Sequence, residues 1–319
     1  MAWFALRRIG LGFVVLVLVS FVTWLIFAEA LNPLWSFFAA PHSAQVLEIT
    51  KRARLHDPVV VRYLRWLVGI FTGHGLGREV VTNEPVWPQV RAAFATTLEL
   101  ITYAMVFIVA GSLLVGIVSA RRKGKPADVG LRTFSYLAWS VPAFLLALLL
   151  QRAFIAVDNA WGFAPFAFGG PPPPGGGFVE WLRHMTLPAL AVALGFVGVY
   201  GRYLRSSLLL ALDAPYTVVA RAKGLPERKV VRRYALRNSL VPFVSVIAIE
   251  FGTIFAASLA ADYVFGLHGL VSLFLYNGLL NADPYMIEAP IVLSAAIVVI
   301  ASIVGDVVCA ALDPRIRLN

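Results

Sequence analysis

The sequence of 319 residues contains little charge and a single cysteine, and both scarcities exclude broad classes of protein. Charged residues make up 14% of the chain and hydrophobic residues 60%, whereas soluble domains contain about 25% and about 45–50%. The lone cysteine, Cys309, leaves no intrachain disulfide to be formed. The composition therefore excludes an ordinary soluble domain and a disulfide-stabilised secreted one, and it indicates a protein embedded in a membrane.

The motifs of several enzyme classes are also missing. The chain has no GxxxxGK[ST] phosphate-binding loop, no HExxH, no CxxC and no GxSxG. Its histidines are scattered without the spacing of a metal site: His42, His56, His74, His184 and His268. We therefore predict that the chain is not an enzyme and that it has no catalytic, cofactor-binding or metal-binding residues.

Long apolar segments are what the sequence does contain. About 20 apolar residues, rising 1.5 Å each in a helix, cross a hydrocarbon core roughly 30 Å thick. Six segments reach this length, and they lie at about 9–31, 95–120, 133–156, 186–212, 240–262 and 289–312. We predict an all-α polytopic membrane protein with six transmembrane helices.

The distribution of basic residues predicts the orientation of these helices. In a soluble protein the net charge of +10 would suggest nucleic-acid binding, but lysine and arginine collect in the cytoplasmic loops of membrane proteins. With the N-terminus inside, 18 of the 27 basic residues fall in inner segments, when Arg202 and Arg205 at the end of span four are counted with them. The inner segments are 1–8, 121–132, the polar stretch after span four, and 313–319. We therefore predict cytoplasmic termini and no nucleic-acid partner.

This topology divides the chain into three regions. They are an N-terminal transmembrane helix at 1–31, an external segment or subdomain at 32–94, and a core of five transmembrane helices at 95–319. Apolar side chains recur at helical spacing in the external segment, at Val60, Tyr63, Leu64 and Leu67. This pattern predicts a short amphipathic helix there. The loop "GGPPPPGGG" at 169–177 reads as an external connector without assigned function.

Two features inside the spans leave alternatives open. Glu250, in "IAIEFGTIF", is the ionisable residue best placed to face a translocation path, and packing between helices is its other interpretation. Span four contains the glycines Gly195, Gly198 and Gly201, which favour close helix packing or a gating hinge.

A polar, basic segment follows span four. Tyr216, Val219, Ala220 and Lys223 share one face, which predicts a helix over about 215–223. Gly224 would end this helix, and Pro226 with Glu227 would begin a second one. On the second helix Val230, Val231, Tyr234 and Asn238 form one stripe. Such a segment is a solvated basic loop, a helix on anionic lipid, or a docking element for a cytoplasmic partner.

The sequence "YTVVARAKGLPERKVVRRYALRNSLVP" resembles the cytoplasmic loop of ABC-importer permeases, in the version found in the dipeptide/oligopeptide permease family. The likeness extends to "DPVVVRYLRWLVGIFTGHGLG", "LRTFSYLAWSVPAFLLALLL", "LRHMTLPALAVAL", "VFGLHGLVSLF" and the terminal "AALDPRIR". The segment before span two resembles that of the B-type permease of the pair. Pro226 replaces a serine usual in the family, and Pro215 replaces an acidic residue.

The resemblance implies a type I ABC importer permease fold in the bacterial plasma membrane, with coupling helices at about 215–237. It implies as partners a second, C-type permease, two ABC ATPase subunits that bind ATP and Mg, an external binding protein, membrane lipid and a peptide substrate. The residues that it places at the ATPase contact or in support of it are Tyr216, Val219, Ala220, Ala222, Gly224, Leu225, Glu227, Arg228, Arg232 and Tyr234. The alternatives are a secondary transporter or channel that works without ATPases, and a membrane-anchored interaction protein.

Overall fold

The computed structural model describes residues 2–37, 43–73 and 75–312, and these residues are almost entirely helical. The described residues form no strand, and their one element of β pairing is an isolated bridge between Arg78 and Pro85. The prediction of an all-α protein is thereby confirmed. The predicted cytoplasmic tail at 313–319 and the side chain of Cys309 lie outside the described residues.

The helices are numbered here in chain order. The first six are α1 Ala2–Ala30, α2 Ala44–Ala53, α3 Val59–Phe71, α4 Val86–Arg121, α5 Pro126–Ser140 and α6 Ala143–Trp161. The remainder are α7 Phe178–Asp213, α8 Pro215–Ala222, α9 Glu227–Ile249, α10 Phe251–Phe265, α11 Leu270–Leu279 and α12 Pro284–Leu312. Five described helices are long and apolar enough to cross a membrane, and the bent pair α9–α10 makes a sixth. Six transmembrane passages are therefore confirmed.

The third span is shorter than its prediction. The expected helix at 133–156 is broken where α5 ends at Ser140 and the chain becomes extended at Val141. Pro142 then precedes the first residue of α6. Proline disfavours helical backbone in the residue before it, so the continuous helix predicted from hydropathy was wrong. The apolar passage is α6, and α5 is a separate helix that packs along α7.

The fifth span is also interrupted. The prediction placed one helix at 240–262, whereas α9 and α10 meet at Glu250 with a bend of 55°. The Glu250 amide donates to the Val246 carbonyl, and the Glu250 carbonyl accepts from Thr253 and Ile254. Glu250 therefore ends one helix and begins the next, which hydropathy cannot show because both halves are apolar.

The glycines of span four pack against neighbouring helices. A Cβ on Gly198 would lie 2.8 Å from the Ser135 carbonyl oxygen of α5, and one on Gly201 would lie 2.7 Å from the Val115 side chain of α4. The helix α7 runs unbroken through both positions. Of the two interpretations left open by the sequence, the structure supports close packing.

Two compact units divide the chain. One comprises residues 99–265 and 301–319, and the other comprises residues 2–98 and 266–300. The three regions predicted from topology, with boundaries at 31 and 94, concern the sides of the membrane and stay a prediction.

In the unit that comprises residues 2–98 and 266–300, aromatic rings hold α1 and α3 together. The Trp24 ring stacks on Trp66 at 5.5 Å, and the Tyr63 hydroxyl lies 2.8 Å from the Ser20 hydroxyl. The amphipathic helix is present as α3, but Val60 and Leu64 are exposed. The predicted stripe was therefore partly wrong, because the buried residues of α3 are Tyr63, which belongs to the stripe, and Trp66, which does not.

Asp283 joins the start of α12 to Val80, which precedes α4, in the same unit. One of its carboxylate oxygens accepts from the backbone amides of Tyr285 and Met286, which caps the helix. The other accepts from the Val80 amide at 2.6 Å. Burial raises the pKa of Asp283 to about 6, against the pull of these amides in the opposite direction.

This raised pKa predicts a stability that falls as the pH rises. The folded state binds the Asp283 proton more tightly than the unfolded chain, so stability decreases between about pH 4 and about pH 6 and is level above that. We expect the thermal midpoint in detergent to follow this slope, and Asp283→Asn to flatten it. A wild-type midpoint that rises over the same interval would contradict the assignment.

Candidate coupling site

The helix α8 is a short element fixed to the end of α7. Ala214 between them is extended, and Pro215 occupies the first helical position, where its missing amide costs nothing. The Thr217 hydroxyl is buried and donates to the Ala211 carbonyl at 2.7 Å. Ala220 is also buried, with 3% of its surface exposed. These contacts hold α8 against the span that precedes it.

The opposite face of α8 is open and largely apolar. Tyr216 and Val219 expose 42% and 51% of their surfaces, and Ala222 is exposed beside them. Ala220, which the periodicity places on the same stripe, is turned inward. The predicted stripe is thus divided between an inner and an outer face, and the outer face is available to another protein.

Gly224 ends the helix as its position predicts. Its φ is +73°, a conformation that side chains other than those of glycine, asparagine and aspartate rarely adopt. Its amide donates to the Arg221 carbonyl, and the amide of half-buried Leu225 donates to the Ala220 carbonyl. No atom lies within 4 Å of the place where a Cβ would stand. The glycine is therefore required by backbone conformation, while the space beside it is empty.

An ion pair that the sequence did not reveal closes this turn. Arg221 donates from Nη2 and Nε to the two carboxylate oxygens of Glu227 at 2.8 and 3.0 Å. A third bond runs from its Nη1 to the Leu212 carbonyl. The sequence suggested for Glu227 only an interaction with the helix dipole. The six-residue spacing of the pair was the available signal, but it becomes meaningful only once the Gly224 turn is known.

Because both members of this pair are well exposed, its removal should change geometry more than stability. We expect Glu227→Gln to lower the free energy of unfolding by under about 1 kcal/mol. In a double-mutant cycle Arg221→Gln should add only the loss of its bond to the Leu212 carbonyl, because the contact with Glu227 is already lost. Chemical denaturation of the four proteins in detergent measures the coupling. A coupling energy above about 2 kcal/mol would contradict this expectation.

The second helix is not short, as the sequence suggested, but continues as α9 to Ile249. It contains a π-helical stretch at Val230–Ala235. In a π-helix the backbone hydrogen bonds join residues five positions apart, and the turns are wider than in an α-helix. Val230 and Ala235 are fully buried, whereas Arg228 and Arg232 are exposed and Tyr234 is half-buried. Asn238 is exposed, so it does not belong to the buried stripe that the periodicity assigned to it.

Buried contacts connect the start of α9 to the membrane helices. Ala235 packs in one apolar cluster with Ala120 of α4 and with Leu208 and Ala211 of α7. Close-packed apolar groups transmit displacement with little loss. A push on the exposed face of α8 or on the adjoining turn therefore acts on α4, α7 and α9 together.

A second buried site stabilises the same end of these helices, and the sequence interpretation missed it. The Asp128 side chain in α5 is fully buried and accepts two bonds of 2.8 Å from Arg205 of α7. It also accepts from the Ser119 hydroxyl of α4 and from the Gly124 amide. The Arg205 guanidinium holds the pKa of Asp128 well below its usual range. In the sequence Asp128 stands among basic residues, which hides its role.

Glu250 lies in an aromatic pocket of the same compact unit. The cavity has a volume of about 450 Å³ and contains the side chain of Arg202 as well. Glu250 is half-buried and forms no side-chain hydrogen bond or ion pair within the described part of the chain. The structure thus places Glu250 at a cavity, 13 residues along the sequence from the end of the segment at 215–237.

In the ranges that the structure describes, no three histidine, cysteine, aspartate or glutamate side chains are grouped to hold a metal ion. In the described residues, long apolar helices are linked by buried contacts to an exposed helix–glycine–helix segment, which is the architecture of an integral membrane protein.

Comparison with known families identifies the class of membrane protein to which the chain belongs. Residues 112–318 match the family described as "Binding-protein-dependent transport system inner membrane component", and residues 1–102 match its N-terminal counterpart. The chain belongs to this family of membrane permeases. The recognition made from the loop sequence is confirmed.

Named relatives cover nearly the whole chain. The oligopeptide transport system permease protein OppB of Mycobacterium tuberculosis is 29% identical over 98% of each chain. The di/tripeptide transport system permease protein DppB of Pseudomonas aeruginosa is 30% identical over 85% of this chain and 84% of its own. The solved "amino acid ABC transporter with histidines" has a TM-score of 0.51 at 16% identity, over 72% of this chain and 94% of its own. This last similarity shows the fold, which is that of an ABC transporter membrane subunit.

Proposed function

We propose that this chain is the B-type permease subunit of an ATP-driven peptide importer. The two relatives named above are both described as permeases of peptide transport systems, one for oligopeptides and one for di- and tripeptides. The chain would enclose the translocation path together with a second, C-type permease. An external binding protein would deliver the peptide, and the membrane is the bacterial plasma membrane.

The energy source lies in two ATPase subunits, which bind ATP and Mg on the cytoplasmic side. This proposal keeps both termini in the cytoplasm and residues 32–94 outside, because 18 of the 27 basic residues then lie inside. The chain itself contributes no nucleotide site. Its part is to convert the movement of an ATPase into movement of its own helices.

The observation that carries the proposal is the exposed apolar face of α8 next to the Gly224 turn, anchored by buried contacts to α7 and α9. Tyr216, Val219 and Ala222 present that face, and Gly224 gives the turn its shape. Exposed apolar side chains on a small, fixed helix favour a protein partner over solvent. Ala220 and Leu225 would support the face from within. The residues that we assign to the start of the second coupling helix are Glu227, Arg228, Arg232 and Tyr234.

Reconstitution tests the proposal. The chain would be placed in proteoliposomes with its second permease and ATPase subunits, and uptake of tritiated tri-alanine would be measured with the binding protein and internal ATP. We expect uptake that requires ATP, the binding protein and this chain. Uptake driven by an ion gradient in vesicles without ATPase subunits would show instead a secondary transporter. Absence of uptake in the complete system would contradict the peptide assignment.

A further inference from the structure

The pocket that holds Glu250 has the composition of a binding site rather than of a helix interface. Its lining includes the aromatic side chains of Tyr136, Trp139, Phe196, Tyr200 and Tyr203. The Phe196 ring lies 5.7 Å from Trp139 edge-on and 5.8 Å from Tyr200 in a stacked arrangement. A volume of about 450 Å³ falls within the range of roughly 300–1,000 Å³ typical of small-ligand sites.

Two opposite charges face this pocket without neutralising each other. Arg202 lies over the Tyr136 ring at 4.2 Å, and neither Arg202 nor Glu250 forms an ion pair in the part of the chain that the structure describes. Arg202 lies in α7, which continues to Asp213, and it is one of the residues that the charge count places at the cytoplasmic end of span four. In a membrane protein, ionisable side chains that line a cavity without an ion-pair partner usually mark a substrate pathway.

A polar group without a partner adds an independent indication. Tyr200 is 1% exposed, and its hydroxyl has no hydrogen-bond partner although it lines the same pocket. A buried hydroxyl without a partner costs about 1–3 kcal/mol, so it is normally satisfied by water or by a group of a bound ligand. Cation, anion, hydroxyl and aromatic faces are thus all presented to one cavity.

We propose that this pocket is a transient site for the peptide on its way through the membrane. Arg202 receives the terminal carboxylate of a short peptide, Glu250 receives its terminal ammonium group, and the aromatic rings contact its side chains. A free peptide is the ligand class with one charge of each sign and an apolar body between them. The proposal rests on the peptide-import function proposed above and adds the residues that select for free termini.

Capped peptides test the two charges separately. The reconstituted complete transporter would be assayed with tritiated tri-alanine, its N-acetyl derivative and its C-terminal amide, and each variant compared with wild type for the same probe. The preference of the binding protein cancels in the ratio of variant uptake to wild-type uptake for a given probe. We expect Arg202→Gln to reduce uptake of tri-alanine by about tenfold and to leave the amide at the wild-type rate, because one charge-assisted hydrogen bond is lost.

Glu250→Gln should show the complementary pattern, with tri-alanine reduced and the N-acetyl derivative unchanged. Arg202→Lys should keep most of the wild-type preference, since the charge remains. Arg152→Gln is the matched control, because Arg152 is an exposed arginine of the same unit that does not line the pocket. If Arg202→Gln and Glu250→Gln each lose uptake equally for all three probes, or lose none, the inference is overturned.

Cross-linking provides a second measurement that does not depend on capped probes. p-Benzoylphenylalanine in place of Trp139 should become labelled by tritiated tri-alanine during ATP-driven uptake, and the same residue in place of exposed Trp161 should not. Equal labelling at the two positions would reject the pocket. A wild-type transporter that imports no peptide would reject the proposed function itself. If the wild type imports peptide but the variants do not distinguish free from capped peptides, only the pocket is rejected.

Discussion

Replacing Gly224 by valine is expected to abolish most ATP-driven uptake while the protein remains inserted and folded. The φ of +73° costs a β-branched residue about 1–2 kcal/mol or more, and the new side chain would project into the open space beside the exposed face of α8. Both effects disturb the surface that we assign to the ATPase. We expect uptake to fall by at least about tenfold while ATP hydrolysis by the complex continues.

Two variants separate conformation from contact. Gly224→Asn should keep more activity than Gly224→Val, because asparagine tolerates the left-handed conformation. Gly175→Val is the matched control, since Gly175 also has a positive φ of +78° and open space but lies in the proline-rich connector. The Gly175→Val variant should show wild-type uptake. Wild-type uptake by well-expressed Gly224→Val would reject the coupling role of this turn.

Replacing Asp128 by asparagine is expected to have the largest effect on stability. The change removes the negative charge that Arg205 pairs with in a fully buried site and leaves that guanidinium without its partner. Breaking such a pair typically costs about 3–5 kcal/mol. Denaturation in mixed micelles, with the folded fraction followed by tryptophan fluorescence, measures the loss.

The pH dependence of the same pair has a defined sign. Because the folded pKa of Asp128 is depressed, its contribution to stability is complete above the ordinary carboxyl pKa of about 4 and is lost as the pH falls below it.

Asp158→Asn is the control for the stability measurement, since the Asp158 carboxylate of α6 forms no ion pair within the described ranges. The double change Asp128→Leu with Arg205→Met should recover much of the stability, because no charge is then left buried. An unchanged stability of Asp128→Asn would show that the pair contributes nothing.

The coupling segment was predictable to an unusual degree because its signals are local. A glycine after one amphipathic stretch and a proline before the next define a turn within a few residues, and the left-handed conformation of Gly224 confirms it. The division of the face between Ala220 and Val219 was not predictable in the same way. Which side of α8 is covered depends on α7, and residues at helical spacing fit either side.

Contacts between distant residues account for most of what the sequence left out. The carboxylate of Asp128 meets Arg205 across 77 positions of the chain, so no local pattern marks the pair. Similarly, Arg202 reads from the charge distribution as a residue at the inner end of a span, and only the tertiary structure shows that it lies over the Tyr136 ring and lines the pocket of Glu250. The aromatic pocket around Glu250 combines residues of α5, of α7 and of the break between α9 and α10, each of which appears alone as an ordinary apolar stretch.

The sequence by itself determined the membrane class, the six passages, the family and the helix–glycine–helix form of the coupling segment. These properties depend on composition, on apolar length and on residues that set their own backbone conformation. The tertiary structure decided where the third and fifth spans break, which face of α8 is open, and which charges are paired or left facing a cavity. Those outcomes depend on packing between helices, which is fixed only when segments far apart in the chain come together.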